Sequence, residues 1–134
     1  MAKFPTEEWL NALMEKLNSD EKYAGVAKKW EGDMIFQIEP SGSLEEETSF
    51  YLDLWHGKCR SANMITSGSN ASASFTLCGS YDNYVRLLKS DLDPMQALLT
   101  RKLGVQGNMA VLMRSVPVVL DFVRCCREVT DEYL

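Results

Sequence analysis

Apolar residues along this chain recur with two periods, and each change of period marks an element. From Glu7, the residues Trp9, Leu10, Leu13, Met14 and Leu17 fall at the three-and-four spacing of one helix face. Thr6 is placed to cap that helix, Glu7 and Glu8 suit the positive end of its dipole, and it ends near Asn18. Asp20 caps a second, shorter helix, which the spacing of Tyr23, Val26, Ala27 and Trp30 carries to about Trp30. After Gly32-Asp33 the period drops to two. Met34, Phe36 and Ile38 share one face of a strand, with Ile35 and Gln37 on the other. Pro40-Ser41-Gly42-Ser43 is a turn, and Leu44-Glu45-Glu46-Glu47 a solvated connection. Thr48 to His56 is the clearest strand, with Phe50, Leu52 and Leu54 alternating with Tyr51, Asp53 and Trp55. Gly57-Lys58 then makes a hairpin turn, and the chain returns from Cys59 to Met64. A small, polar loop follows over Thr66–Ser72. Ala73, Phe75 and Leu77 line one side of the next strand, which Gly79 ends. Ser80 caps a helix striped by Tyr81, Tyr84, Val85 and Leu88, and Ser90-Asp91-Leu92 breaks it.

The stretch from Asp93 to Met113 packs three elements into few residues. Asp93 caps a short helix with Pro94 at its first position, where the missing N–H is no loss, and Met95, Leu98 and Leu99 at helical spacing. Lys102-Leu103-Gly104-Val105-Gln106 alternates as a short strand with Leu103 and Val105 on one face. Gly107 breaks it, and Asn108 caps a second apolar helix through Met113. Ser115 is read as the cap of a last segment, Pro117 forces a break or kink close by, and Val116, Val119, Leu120 and Val123 form a helical stripe. Arg124 and Arg127 suit that helix's C-terminus.

The segment from Leu98 to Ala110 resembles the signature of the sterol carrier protein family: a basic residue, Leu, a variable residue, a β-branched residue, a variable residue, Gly, Asn and Met. The order of elements elsewhere fits as well, so the resemblance, to a small, single-domain, prokaryotic-type member, covers nearly the whole chain. It implies an α+β fold, a single twisted, mainly antiparallel five-stranded sheet covered on one face by helices. It also implies an apolar tunnel for fatty acyl chains, acyl-CoA or sterols. Carried over by position, the ligand-binding residues are Phe36, Phe50, Leu52, Phe75, Leu103, Val105, Met109, Leu112, Met113 and Val116, with Arg101 and Lys102 near the mouth. Pro117 to Val129 is an extra or lengthened helix relative to eukaryotic members. It either caps the tunnel or makes a homodimer contact, and the choice among the lipids stays open.

Composition narrows the class without naming a ligand. A chain of 134 residues suits one domain over residues 1–134 and buries roughly two-thirds of its unfolded surface. A net charge of −5 argues against nucleic acid, which needs a basic face, and limits membrane contact to a transient one. No apolar run reaches the ~18 residues that span a bilayer, and neither terminus carries a recognised sorting signal, so a cytoplasmic protein is expected. Cys59, Cys78, Cys125 and Cys126 lack metal-type spacing and read as reduced thiols.

Candidate chemistry is thin. His56 is the one histidine and lies close in sequence to Cys59, but a Cys–His nucleophile needs an orienting third group and none is evident. No phosphate loop, metal cluster or nucleophile elbow appears, so no enzyme, cofactor or metal is expected. What remains is apolar surface, and periodicity alone fits a dry core. Seven methionines, with Met109 and Met113 at i, i+4, suit a cavity that admits varied chains. It is the family resemblance that implies the expected function, non-enzymatic binding, and transfer, of a hydrophobic lipid. The alternative it implies is an accessory module that presents lipophilic isoprenoid intermediates to a partner enzyme.

Overall fold

The structure, a computed structural model, describes residues 2–66 and 71–134. Residues 67–70, in the expected Thr66–Ser72 loop, lie outside the described part. Five helices start at the side-chain caps read from the sequence. Thr6 accepts from Trp9 N–H, Asp20 from Tyr23, Ser80 from Asn83, Asp93 from Gln96 and Asn108 from Val111. Each satisfies a donor that a helix start leaves without an intrahelical partner. The helices are α1 (Glu7–Ser19), α2 (Glu21–Val26), α3 (Tyr81–Leu88), α4 (Pro94–Leu99) and α5 (Met109–Arg114). The last, α6 (Val116–Val129), starts at Ser115 with no side-chain cap, and Pro117 sits in its first turn. The break expected around Pro117 is therefore the junction between α5 and α6.

β1 (Lys3–Phe4) and β7 (Glu132–Tyr133) form a short parallel pair that ties the two ends of the chain together. β2 (Met34–Glu39), β3 (Thr48–Trp55), β4 (Lys58–Ile65), β5 (Phe75–Ser80) and β6 (Gly104–Gln106) make the main sheet, in the order β4-β3-β2-β5-β6. Only the β2–β5 pairing within it is parallel. The register brings apolar rows together: Phe36 lies opposite both Phe50 and Leu77, Met34 opposite Leu52 and Phe75, and Val105 opposite Leu77. Helices cover that face, with α6 packed against the other helices. The opposite face carries Gln37, Tyr51, Asp53 and Thr76.

Local details depart from the pattern. α2 stops at Val26 instead of running to Trp30, because the chain tightens into a turn at Ala27 that receives Trp30 N–H. The Trp30 indole is then free to donate to Gly32 and lie against Phe75, ring centres 5.4 Å apart. The β3–β4 turn is His56-Gly57, not Gly57-Lys58: both residues have positive φ, 50° and 79°, the mirror-type turn that suits a hairpin's twist. Lys58 already pairs with Trp55. β5 begins at Phe75 instead of Ala73 and continues through Gly79, which pairs with Ile38. β6 begins at Gly104 instead of Lys102.

Candidate functional site

Between the covered face of the sheet and α6 the packing leaves a cavity of about 80 Å³. The sheet side is Met34 and Phe36 of β2, Leu54 of β3, Leu77 of β5, and Leu103 and Val105 at β6. The helix side is Tyr84, Leu87 and Leu88 of α3, Leu98 of α4, Leu112 of α5, and Val119, Phe122, Val123 and Cys126 of α6. Phe4, Trp9, Tyr23 and Trp30 close it from the N-terminal part of the chain. Phe36 meets Phe122 edge-on at 5.7 Å and Tyr84 at a tilt at 6.3 Å, so rigid rings frame the space.

The polar atoms along this wall are turned to other work. Trp9 Nε1 donates to Thr130 at 2.8 Å, Trp30 Nε1 to the Gly32 carbonyl at 2.9 Å, and the Tyr84 hydroxyl to the Leu77 carbonyl at 2.9 Å. Burial pushes the Tyr84 phenol and the Cys126 thiol well above their ordinary ranges, so both stay neutral. Among the described residues the wall holds no charged side chain. Such a space offers neither a nucleophile nor a proton relay. An apolar space of this kind stays dry.

The sequence profile of the SCP-2 sterol transfer family matches residues 10–119. The chain belongs to the SCP-2 sterol transfer family. Its structure is similar to a crystal structure of sterol carrier protein 2, with TM-score 0.84, 30% identity, and 93% of this chain and 98% of that one covered. It is also similar to the solution structure of a conserved hypothetical protein, possibly a sterol carrier protein, from Thermus thermophilus: TM-score 0.83, 30% identity, 94% and 89% covered. The Aedes aegypti sterol carrier protein-2 in complex with palmitate shares the fold, with TM-score 0.53 at 18% identity, over 83% of this chain and 90% of that one. A comparison with curated protein sequences found no match. No helix among the described residues is long and apolar enough to cross a membrane.

The ten side chains that the SCP-2 resemblance pointed to divide into two groups. Phe36, Leu103, Val105 and Leu112 stand on the cavity wall. The other six lie off it. Phe50 and Leu52 are fully buried, with Phe50 stacked on Trp9 at 5.7 Å. Phe75 is covered by Trp30. Met109 is 38% exposed on α5, and Met113 and Val116 are half-buried beside it. Position in a motif indicates the sheet face but not which neighbour takes up each ring. Sequence reasoning missed the aromatic closure by Phe4, Trp9, Tyr23 and Trp30, and it set the α6 stripe at Val116, Val119, Leu120 and Val123, whereas Val119, Phe122, Val123 and Cys126 form the wall and Leu120 is exposed. The i, i+3, i+4, i+7 spacing of those four wall residues was a usable signal.

Two other constellations fall outside the cavity. His56 Nε2 meets Glu31 at 2.6 Å and its ring stacks on Trp55, while Cys59 is buried with its Sγ donating to the Ser61 carbonyl. Asp20, Asp121 and Cys125 bring possible ligand atoms within 4.8 Å of one another. The Arg124 guanidinium already fills that place, reaching Asp20 at 2.6 Å, Asp121 at 2.8 Å and Glu128 at 2.8 Å. Lys16 adds contacts to Asp20 and Glu128, and Lys22 one to Asp121 at 3.6 Å, so three cations face three carboxylates in a neutralised clasp joining α1, α2 and α6.

Proposed function

We propose that residues 1–134 act as one carrier domain that binds the hydrocarbon part of a lipid, a fatty acyl chain or a sterol-like body, without altering it. The cytoplasm is the setting proposed for it. The wholly apolar cavity between the sheet and α6 carries this reading. A cavity of about 80 Å³ is roughly half the ~150 Å³ apolar space that admits benzene, so a long chain enters only by widening it. The part that yields is the run from α4 through α5. There β6 is three residues long and α5 buries only Leu112, so little packing resists displacement. Each buried methylene contributes about 0.8 kcal/mol, and a dozen of them about 10 kcal/mol before ordering and widening are subtracted. Micromolar binding requires about 8 kcal/mol net, which leaves about 2 kcal/mol for ordering and widening together.

Titration of delipidated protein with a fluorescent fatty acid tests the reading. Saturable binding is expected, displaced by an unlabelled fatty acid and insensitive to salt, since the wall is uncharged. Absence of saturable binding across fatty acids, acyl-CoA and sterols would remove it. Native mass spectrometry of protein taken from cells gives an independent check, and a co-purifying lipid is the expected result.

A further inference from the structure

The outer side of the cavity's cover differs in charge from the rest of the chain. Between Pro94 and Leu120 lie three of the 14 Lys and Arg residues, Arg101, Lys102 and Arg114, and none of the 19 Asp and Glu residues. All three cations are exposed, and none makes an ion pair among the described residues. The same stretch shows large apolar side chains to solvent: Leu99 at 70%, Leu120 at 43% and Met109 at 38%. Leu99 ends α4 at a tight turn, where Arg101 has a φ of 60° and Leu103 N–H returns to the Ala97 carbonyl. Its neighbour Leu98 faces the cavity, so the turn sends one leucine inward and the next outward. α4 and α5 both pack on α6, and Leu112 and Val119 face inward below the same cover.

We propose that this cover, from α4 to the first turn of α6, docks on the surface of a membrane containing anionic lipid. Charge complementarity identifies the occupant. Lipid phosphates and carboxylates meet Arg101, Lys102 and Arg114 while Leu99 and its apolar neighbours enter the headgroup boundary. The acidic remainder of the protein is repelled by the same surface, which turns the cover toward it. Separate leucine and methionine side chains interspersed along the chain with cations suit a fluid boundary better than a fixed protein pocket. The inference supplies a route for loading the carrier proposed above, but its geometry does not depend on that reading. A chain that docks and takes up no fatty acid keeps this inference and loses the other.

Co-sedimentation of the full, delipidated chain with vesicles tests it. One set is phosphatidylcholine alone and the other phosphatidylcholine and phosphatidylserine in a two-to-one ratio. Binding to the anionic set only is expected, weakening as salt rises. Lys102→Glu with Arg114→Glu should lower affinity about 30-fold or more, at about one tenfold step per 1.4 kcal/mol and about 1 kcal/mol per cation near such a surface. Leu99→Ser, which changes no charge, should lower it about tenfold. Lys28→Glu with Lys29→Glu gives the same net charge on another surface and should stay within about twofold, since the effect falls off beyond a Debye length. Circular dichroism confirms that each variant is folded. Absent binding, equal binding to both vesicle sets, equal loss from the two charge pairs, or dimerisation through Leu99 without vesicle binding would each overturn the assignment.

Discussion

Leu103 lies where a side chain on Gly79 would stand: a methyl group built on Gly79 would come 2.3 Å from Leu103 Cδ2. Gly79 sits within β5, opposite Ile38, so the bare backbone there lets the turn after α4 close onto the sheet. Leu103 is 2% exposed and forms part of the cavity wall. Gly79→Ala should therefore push Leu103 away and cost about 1–3 kcal/mol of stability, the usual penalty for overpacking. Urea unfolding measures it. Fatty-acid affinity should fall in the same variant, and unchanged stability would show that Leu103 moves aside freely.

A substitution that fills the cavity separates its two roles. Val119 is half-buried on α6 and faces the space. Val119→Phe places a ring where a ligand chain would run. Stability should hold or rise by up to about 1 kcal/mol, since empty volume is removed, while fatty-acid binding is lost. Leu112→Ala enlarges the same space. It should cost about 2–5 kcal/mol yet leave short-chain binding intact. Paired thermal melts and titrations on both variants give the comparison.

Much of the frame was legible in the sequence, because alternation and capping are local signals. The face shared by Phe36, Phe50 and Leu52 follows from a period of two, and Asn108 as a cap follows from its place before an apolar run. The cavity wall was less legible, because it depends on which ring covers which. Phe50 and Phe36 share a face and lie opposite one another, yet Trp9 covers the first and leaves the second at the wall. Gly79 reads as a strand end in isolation. Its role appears only when Leu103, from a distant segment, is laid over it. The pairing of β1 with β7 had no signal at all, since two-residue strands carry no periodicity.

Acid should loosen the clasp between α1, α2 and α6. The hydrogen bond from Arg124, helped by the Tyr23 N–H and Lys16, holds the Asp20 carboxyl well below its usual range. Glu128 is also lowered, by Lys16 first and then Arg124. Both groups have folded values below their unfolded ones. Their contribution is therefore complete above the unfolded values of about 4 and is lost as pH falls through the folded ones. Arg124→Gln should be less stable than the natural chain at neutral pH, with the gap narrowing as pH drops below about 4. Urea midpoints taken across that range read the gap directly. A constant difference down to strong acid would mean that the carboxylates do not supply it.

Thiol reactivity tests whether any chemistry resides in the cysteines. Burial, with the Asp53 charge adding to it, pushes the Cys59 thiol up to about 11, which leaves about one thiolate in 10,000 at pH 7. Burial also raises Cys125 to about 11, and Cys126 lies well above the usual thiol range. His56 gives Cys59 no help, since its imidazole faces Glu31 and stacks on Trp55. Cys78 is only half-buried, although its thiol too is raised by burial. Iodoacetamide at neutral pH should modify Cys78 first, with Cys59, Cys125 and Cys126 following only as fast as the fold opens. Denaturant should bring all four to similar rates. If Cys59 instead reacted ahead of Cys78 in the folded chain, a thiolate stabilised near His56 would have to exist, and a thiol-based activity would regain its place.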